Sequence, residues 1–482
     1  RFSGRMRALP SWAHEGAIIG MQGGTAAVRN TLAKLEEKNT PIAAFWLQDW
    51  IGARKTAVGW QLWWNWEVDY ERYPGWDDLV SELRAKGIRV LTYLNPFLVD
   101  ASRKGNVRRN LYQEAIDKGF CIGNAKGEPY AIMNTDFSAA LVDLSHPDCR
   151  HWLKEIIKTN LIGAGASGWM ADFGEALPFD ARLHDGSDAA VYHNQYPIEW
   201  ARLNREAIEE AGVEDDILFF TRAGYHRSPG HSTLFWLGDQ LTSWRREDGI
   251  KSVVIGLLSS GLSGMSLNHG DVGGYIATTV PSLPFSIPFF SFSRGRELMH
   301  RWIELSAFTA VYRTHEGNQP SRNHQITDED GTTAHFARFA RVYAALASYR
   351  KELCEVAQAR GLPLVRHPWL HWPDDPEVST LELQFALGKD FMVAPVLDAG
   401  AQRVDIYLPC GEWTHLWSGQ SVTVGGLHGS GGGWFRCIAP IGSPAVFFQS
   451  NSPSGHAVRS LLESNDDLGG PWPEAAFTAR PS

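Results

Sequence analysis

Short runs that are apolar on both faces alternate with amphipathic segments through most of this 482-residue chain, and that alternation is the strongest constraint on its fold. Residues 16–21 (GAIIGM), 42–47 (IAAFWL) and 88–94 (IRVLTYL) read as strands buried on both sides, as a parallel sheet requires. Further strands are predicted at 168–172, 217–221, 234–237, 264–267 and 362–366. Helical spacing with charge on one side marks 26–37 and 76–86, and helices are predicted at 149–158, 198–211 and 342–360. Eight strands interleaved with helices over about 350 residues predict a (β/α)8 TIM barrel. A doubly wound sheet would want a GxGxxG phosphate loop after an early strand, and none follows one.

After residue 376 the period changes. Short strands are predicted at 381–387, 391–396, 403–408, 414–417, 420–424 and 445–449, separated by Gly, Pro, Asp and Ser turns, the pattern of an antiparallel β domain. Residues 450–482 are polar and rich in Pro and Gly, which predicts a disordered tail. The expected plan is an N-terminal extension (1–15), a barrel (16–375), a C-terminal β-sandwich-like domain (376–449) and the tail (450–482).

Charge and cysteine usage narrow the function. The net charge of −9, with acids and bases intermixed, argues against a nucleic-acid partner, which needs a concentrated basic face. No run of 18 apolar residues argues for a membrane span, and RFSGRMRALPSW lacks the apolar core of a signal peptide. The cysteines (Cys121, Cys149, Cys354, Cys410, Cys437) are odd in number, widely spaced and without a CxxC pair. They read as buried or reduced thiols rather than a disulfide framework or a zinc site. These signs together predict a cytoplasmic protein, with an organelle stroma as the alternative. Twenty tryptophans are unusual; indole rings stack on sugar faces, and they also fill large cores.

Barrel enzymes carry their chemistry at strand C-termini. The polar residues closing the predicted strands are Gln22, then Gln48 and Asp49, then Asn95, then Asp172 and Glu175, Arg222, Asp239, and finally His269 and Asp271. Two acids stand out. Asp172 (GWMADFGEALP) and Asp239 (LFWLGDQLTSW) each end a run of bulky apolar residues. Retaining glycoside hydrolysis needs two carboxyls about 5–5.5 Å apart, one ionised to attack and one protonated to donate. An aspartate after a strand also serves often as a helix N-cap, so the residues alone leave that alternative open. His269 and Asp271 (NHGD) suggest a metal pair, but two ligands make no closed site, and orienting Asp239 or capping a turn is the better expectation.

Four blocks in order, GWMADFGEALP, RAGYHRSPGHSTLFWLGDQ, GLSGMSLNHGDVGGY and YRTHEGNQP, resemble the α-glycosidases of glycoside hydrolase family 31. Over residues 14–449 the sequence is most similar to the sulfoquinovosidases of that family, which release 6-deoxy-6-sulfoglucose from sulfolipid derivatives. The resemblance implies Asp172 as nucleophile and Asp239 as general acid/base, with Arg222 and His315 on sugar hydroxyls. Ordinary members end the second strand with an aspartate, where this sequence has Gln48 (FWLQDW). A carboxylate there would repel a sulfonate; an amide removes the repulsion and keeps hydrogen-bonding capacity. Gln22, Trp64 and Tyr275 likewise match residues that sulfoquinovosidases use on the sugar and its sulfonate.

The match has departures. The sulfoquinovosidase pattern has an arginine three residues before the tryptophan, and Gln61 stands there instead; Arg54 and Lys55 on the same loop are candidate substitutes, with solvated surface charge as the alternative reading. Family members usually carry a β-sandwich ahead of the barrel, whereas this sequence starts at the barrel. The stretch 276–292 (IATTVPSLPFSIPFFSF) is longer and more apolar than the family's loop, fitting a lid or a partner surface. The implied activity is retaining hydrolysis of sulfoquinovosides by double displacement, on a small carbohydrate substrate and with no metal or cofactor. The alternatives are an α-glucosidase or α-xylosidase of the same family, or an inactive sugar-binding fragment. The oligomeric state is not legible.

Overall fold

A computed structural model describes residues 2–56, 59–134, 136–278, 292–425 and 431–480. The chain divides into two compact units, one made of Arg1–Pro10, Gly20–Asn30 and Ala43–Phe235, the other of Ser11–Ile19, Thr31–Ile42 and Trp236–Ser482.

The barrel sheet is built on parallel strands that are hydrogen-bonded neighbours in chain order. They are β1 (Ala17–Met21), β2 (Ile42–Leu47), β3 (Arg89–Leu94), β4 (Gly168–Ala171), β5 (Leu218–Thr221) and β6 (Leu234–Trp236). Each carries the apolar run predicted for it, and β1, β4 and β5 are buried at every residue. Gly168 faces Leu218 in the register; a Cβ there would lie 2.0 Å from the Leu218 carbonyl oxygen, so only glycine fits. Helices Thr25–Glu36, Trp76–Ala85, Pro147–Ile156 and Tyr196–Ala211 alternate with the strands. Ten tryptophans, including Trp46, Trp50, Trp169 and Trp200, are fully buried. Several of their indole N–H groups have backbone or side-chain partners: Trp46 donates to Thr92 O (2.8 Å), Trp50 to Tyr93 O (2.8 Å) and Trp169 to Asn204 Oδ1 (2.8 Å). Half of the twenty tryptophans are therefore core.

In the second unit the strand expected at 264–267 is displaced to β7 (Asn268–His269). The apolar run ahead of it serves as the turn after helix Ile250–Leu262. The eighth barrel position also differs from the prediction. It is filled by residues 312–314, where Arg313 bridges Ile18 of β1 and Thr314 bridges Val272, both in parallel. The run predicted as the eighth strand instead supplies β8 (Val365–Arg366), which pairs antiparallel with β9 (Phe385–Leu387). The helix expected over 342–360 is two helices, Asp330–Ala345 and Ala347–Arg360.

The other C-terminal strands are β10 (Phe391–Ala394), β11 (Arg403–Leu408), β12 (Gly411–His415), β13 (Ser421–Val424), β14 (Gly433–Ile438), β15 (Ala445–Gln449) and β16 (Phe477–Ala479). They form sheets ordered β8-β9-β10-β15-β12-β13 and β11-β14-β16. Trp413, Phe447, Ile406, Leu408 and Met392 fill a common core. The tail predicted as disordered is folded over its described part. Helix Pro453–Ser464 is capped by Ser452, whose oxygen accepts from the Gly455 N–H, and Asp467 pairs with Arg341 at 2.8 Å. Strand β16 adds to β14. The N-terminal extension is likewise packed: the carbonyls of Ala13 and His14 accept from Tyr343 and Arg350. All five cysteines are free thiols, as expected: Cys149, Cys354 and Cys437 are buried, Cys121 is half-buried and Cys410 is exposed. Residues 279–291 of the apolar stretch lie outside the described residues; Thr278 and Phe292 on either side bridge each other. Among the described residues no helix is long and apolar enough to cross a membrane.

Candidate active site

Asp172 follows β4 directly and is 7% exposed. Its Oδ2 accepts from the Tyr93 hydroxyl at 2.7 Å and its Oδ1 from the Phe173 N–H at 2.8 Å. Arg222, after β5, brings Nη1 to 3.3 Å of Oδ1. Burial pushes the Asp172 carboxyl above the usual carboxylate range, and Arg222, the Tyr93 hydroxyl and the Phe173 amide pull the other way. The Tyr93 hydroxyl is itself oriented: Asn95 Nδ2 donates to its oxygen at 3.0 Å, which leaves the phenolic proton for Asp172. Arg222 is held from its far side by Glu175, at 2.5 and 3.1 Å, and lies over the Phe173 ring at 4.3 Å. Phe173 adopts φ +58°, a left-handed conformation costly for a bulky side chain, ahead of Gly174 at φ +105°. That turn lets one residue give its N–H to the acid and its ring to the arginine.

The ends of β1 and β2 meet through two amides. Gln22 Nε2 donates to Gln48 Oε1 at 3.2 Å. The neighbouring Asp49 is wholly buried and structural: it accepts from the Gly23 N–H (3.1 Å), from Arg72 Nε (2.8 Å) and from the Tyr73 hydroxyl. Asp49 therefore fixes the loop that carries Gln22 beside Gln48. Beyond β2 the chain makes a hairpin of strands Ala53–Thr56 and Gly59–Leu62, with Gln61 half-buried on the second. Trp64 follows, 6% exposed, stacked on Phe97 with centroids 5.4 Å apart and meeting Phe137 (5.6 Å) and Phe173 (5.5 Å) edge-on. The contact with Phe173 joins this loop to the residue after Asp172.

In the second unit Asp239 is half-buried and follows Gly238 at φ +79°. Its neighbour Gln240 is anchored three ways: the carbonyl accepts from the N–H groups of Tyr275 and Ile276 (2.9 Å each), and Nε2 donates to Leu237 O (2.9 Å). Tyr275 packs on His315, ring centroids 4.6 Å apart. His315 Nδ1 accepts from the Gly317 N–H at 2.9 Å, so the ring proton sits on Nε2 as a donor. Burial, then Arg313 and Arg294, hold this imidazole well below the usual histidine range, and it stays neutral. His269 and Asp271 both engage the buried Arg313: Nε donates to His269 Nε2 (2.9 Å), and Asp271 pairs with Nη2. This is a buried charge network, with burial raising Asp271 against the pull of Arg313. The described residues hold no cluster of three or more His, Cys, Asp or Glu side chains suited to a metal.

Residue types alone did not single out Tyr93, Phe173 or Arg313. The one signal for Tyr93 is a phenol within the otherwise apolar run IRVLTYL, since a buried hydroxyl must find a partner.

An α/β barrel with acids closing its parallel strands is the kind of scaffold that hosts glycoside hydrolases. The TIM-barrel domain of glycosyl hydrolases family 31 matches residues 7–350, and the family's C-terminal domain matches 361–452. The chain belongs to glycosyl hydrolase family 31. It is 40% identical over 458 residues to a sulfoquinovosidase of Escherichia coli, covering 95% of this chain and 64% of that protein. It is 38% identical over 466 residues to a sulfoquinovosidase of Agrobacterium fabrum, covering 96% of this chain and 66% of that one. A solved family 31 sulfoquinovosidase from E. rectale, complexed with an aza-sugar inhibitor, superposes with a TM-score of 0.88 at 37% identity, over 96% of this chain and 66% of that one. The chain thus spans about two thirds of the length of these relatives.

Proposed function

We propose that this chain carries the catalytic barrel of a retaining α-glycosidase that hydrolyses sulfoquinovosides. The observation behind the substrate class is the pair of neutral amides, Gln22 and Gln48, at the ends of β1 and β2. A carboxylate at position 48 would repel a sulfonate 4 Å away by about 4 kcal/mol at an effective dielectric of 20. The amides carry no such repulsion and retain N–H donors for the anion. The sulfoquinovosidases among the relatives support the same reading.

In the mechanism, Asp172 attacks the anomeric carbon as a carboxylate while Asp239 protonates the leaving oxygen, giving a covalent glycosyl-enzyme. Asp239 then deprotonates a water that displaces Asp172, and two inversions return the α configuration. Arg222 and the Tyr93 hydroxyl favour the ionised nucleophile and fix its orientation. His315 offers Nε2–H to a sugar hydroxyl. Trp64, Tyr275, Gln22 and Gln48 line the sugar and its sulfonate, and Gln61 takes the position that an arginine holds in the sulfoquinovosidase pattern. Both reacting groups are side chains, so this chemistry calls on no metal or cofactor.

The test is turnover of a chromogenic aryl α-sulfoquinovoside beside the matching α-glucoside and α-xyloside, with NMR of the first-formed sugar. Preference for the sulfonated substrate supports the proposal. Preference for a neutral sugar would overturn the substrate class, and a β anomer formed first would overturn retention.

A further inference from the structure

The hairpin after β2 holds an arginine, Arg54, two of whose nitrogens, Nε and Nη2, have no hydrogen-bond partner among the described residues. Arg54 is paired directly across the hairpin with Gln61, so the two side chains leave the same face about 5 Å apart at Cβ. The guanidinium lies over the Phe137 ring, 3.8 Å from its centroid, and 4.6 Å from the centroid of Trp63. It is half-buried, and Nε and Nη2 are buried without a hydrogen-bond partner among the described residues. The nearby carboxylate of Asp136 acts on it through its field alone. A buried donor without an acceptor is costly, and a guanidinium clamped flat on aromatic rings presents its N–H edge as a fixed fork. Phe137 meets Trp64 edge-on, and Trp64 meets Phe173, the residue after Asp172. The vacant donors thus belong to the aromatic cluster that borders the nucleophile.

We infer that Arg54 reads the anionic group of the substrate, supplying from across the hairpin the cation that Gln61 does not. This assignment rests on the sulfoquinovoside reading above. A sulfonate has three oxygens and fits a guanidinium fork with two charge-assisted hydrogen bonds. Gln61, on the same face, adds an amide rather than a competing charge.

The test compares KM and kcat for an aryl α-sulfoquinovoside in the parent chain, Arg54→Gln, Gln61→Arg and the double variant, with a melting curve for each. Arg54→Gln is expected to lower kcat/KM about tenfold to a hundredfold, mostly through KM. Gln61→Arg in the Arg54→Gln background is expected to regain most of it, which a purely structural role for Arg54 would not allow. In the parent background Gln61→Arg should gain less than about threefold, because the anion already has its cation. A loss within about twofold in Arg54→Gln, or no recovery in the double variant, overturns the assignment. If Arg54→Gln does not fold, a tenfold or larger gain from Gln61→Arg alone overturns it and a smaller gain supports it. Parent enzyme that hydrolyses the aryl α-glucoside but not the sulfoquinovoside removes the underlying reading, and the role of Arg54 with it.

Discussion

Replacing Tyr93 by Phe removes one oxygen and tests the electrostatics of the nucleophile directly. The Tyr93 hydroxyl donates to Asp172 Oδ2 at 2.7 Å in a buried setting. A hydrogen bond to a charged acceptor contributes about 1.5–3 kcal/mol. At about 1.4 kcal/mol per pKa unit, its loss should raise the Asp172 pKa by about one to two units. The sign follows from the reactive form. Asp172 attacks as a carboxylate, so activity is lost as pH falls through its pKa, and burial has already set that pKa above an ordinary aspartate's. The variant should lose activity at a higher pH still. The assay is the pH profile of kcat/KM for an aryl α-glycoside, parent beside variant. The acid limb should move up by about one to two pH units, with the plateau kept within about tenfold, because a less stabilised carboxylate is also the stronger nucleophile. Asn95 Nδ2 loses its acceptor, so the melting temperature should fall as well. An acid limb that stays in place or moves down would refute the relay from Asn95 through Tyr93 to Asp172.

Asp172→Asn should lower kcat at least a thousandfold, about 4 kcal/mol of transition-state stabilisation, with circular dichroism unchanged. Asp239→Asn should spare aryl glycosides with good leaving groups in the glycosylation step and nearly stop alkyl glycosides, and azide should rescue the second step to an α-glycosyl azide detectable by NMR. Gln48→Asp should depress kcat/KM for the aryl sulfoquinovoside by up to about a thousandfold, the equivalent of about 4 kcal/mol of repulsion of the sulfonate, read against the aryl glucoside. Asp49→Ala strands Arg72, Tyr73 and the Gly23 amide; urea denaturation should show a loss of about 3 kcal/mol.

The first six barrel strands were legible because each is apolar on both faces, a pattern that few other settings permit. The seventh was misplaced because Asn268 and His269 look too polar for a barrel interior. Asn268 Nδ2 is in fact satisfied by Leu257 O (2.8 Å) and Ser260 Oγ (2.7 Å), and His269 by Arg313. The eighth was missed for a related reason: its span, 312–314, reads Tyr-Arg-Thr, and a buried arginine is credible only once Asp271 is known to face it. The tail was misread from composition. Its Ser452-Pro453 step is a helix start, Pro at the first helical position behind a capping serine. In the site, the acids at strand ends were legible from position alone. The support of Asp172 was not, because Tyr93, Asn95, Glu175 and Arg222 come from loops and strands whose register fixes who meets whom.

The bridge between Ile18 and Arg313 has a consequence for the protein's birth on the ribosome. The two residues are 295 positions apart, and synthesis at about 5–20 residues per second takes about 15–60 s to cover that distance. Through that interval the backbone of β1 on this side has no partner, although the strand is apolar and buried throughout in the finished protein. An unpaired apolar strand edge invites pairing with another chain. Nascent chains stalled before residue 312 should therefore engage chaperones or associate through β1, and release from that state should coincide with emergence of residues 312–314 from the exit tunnel.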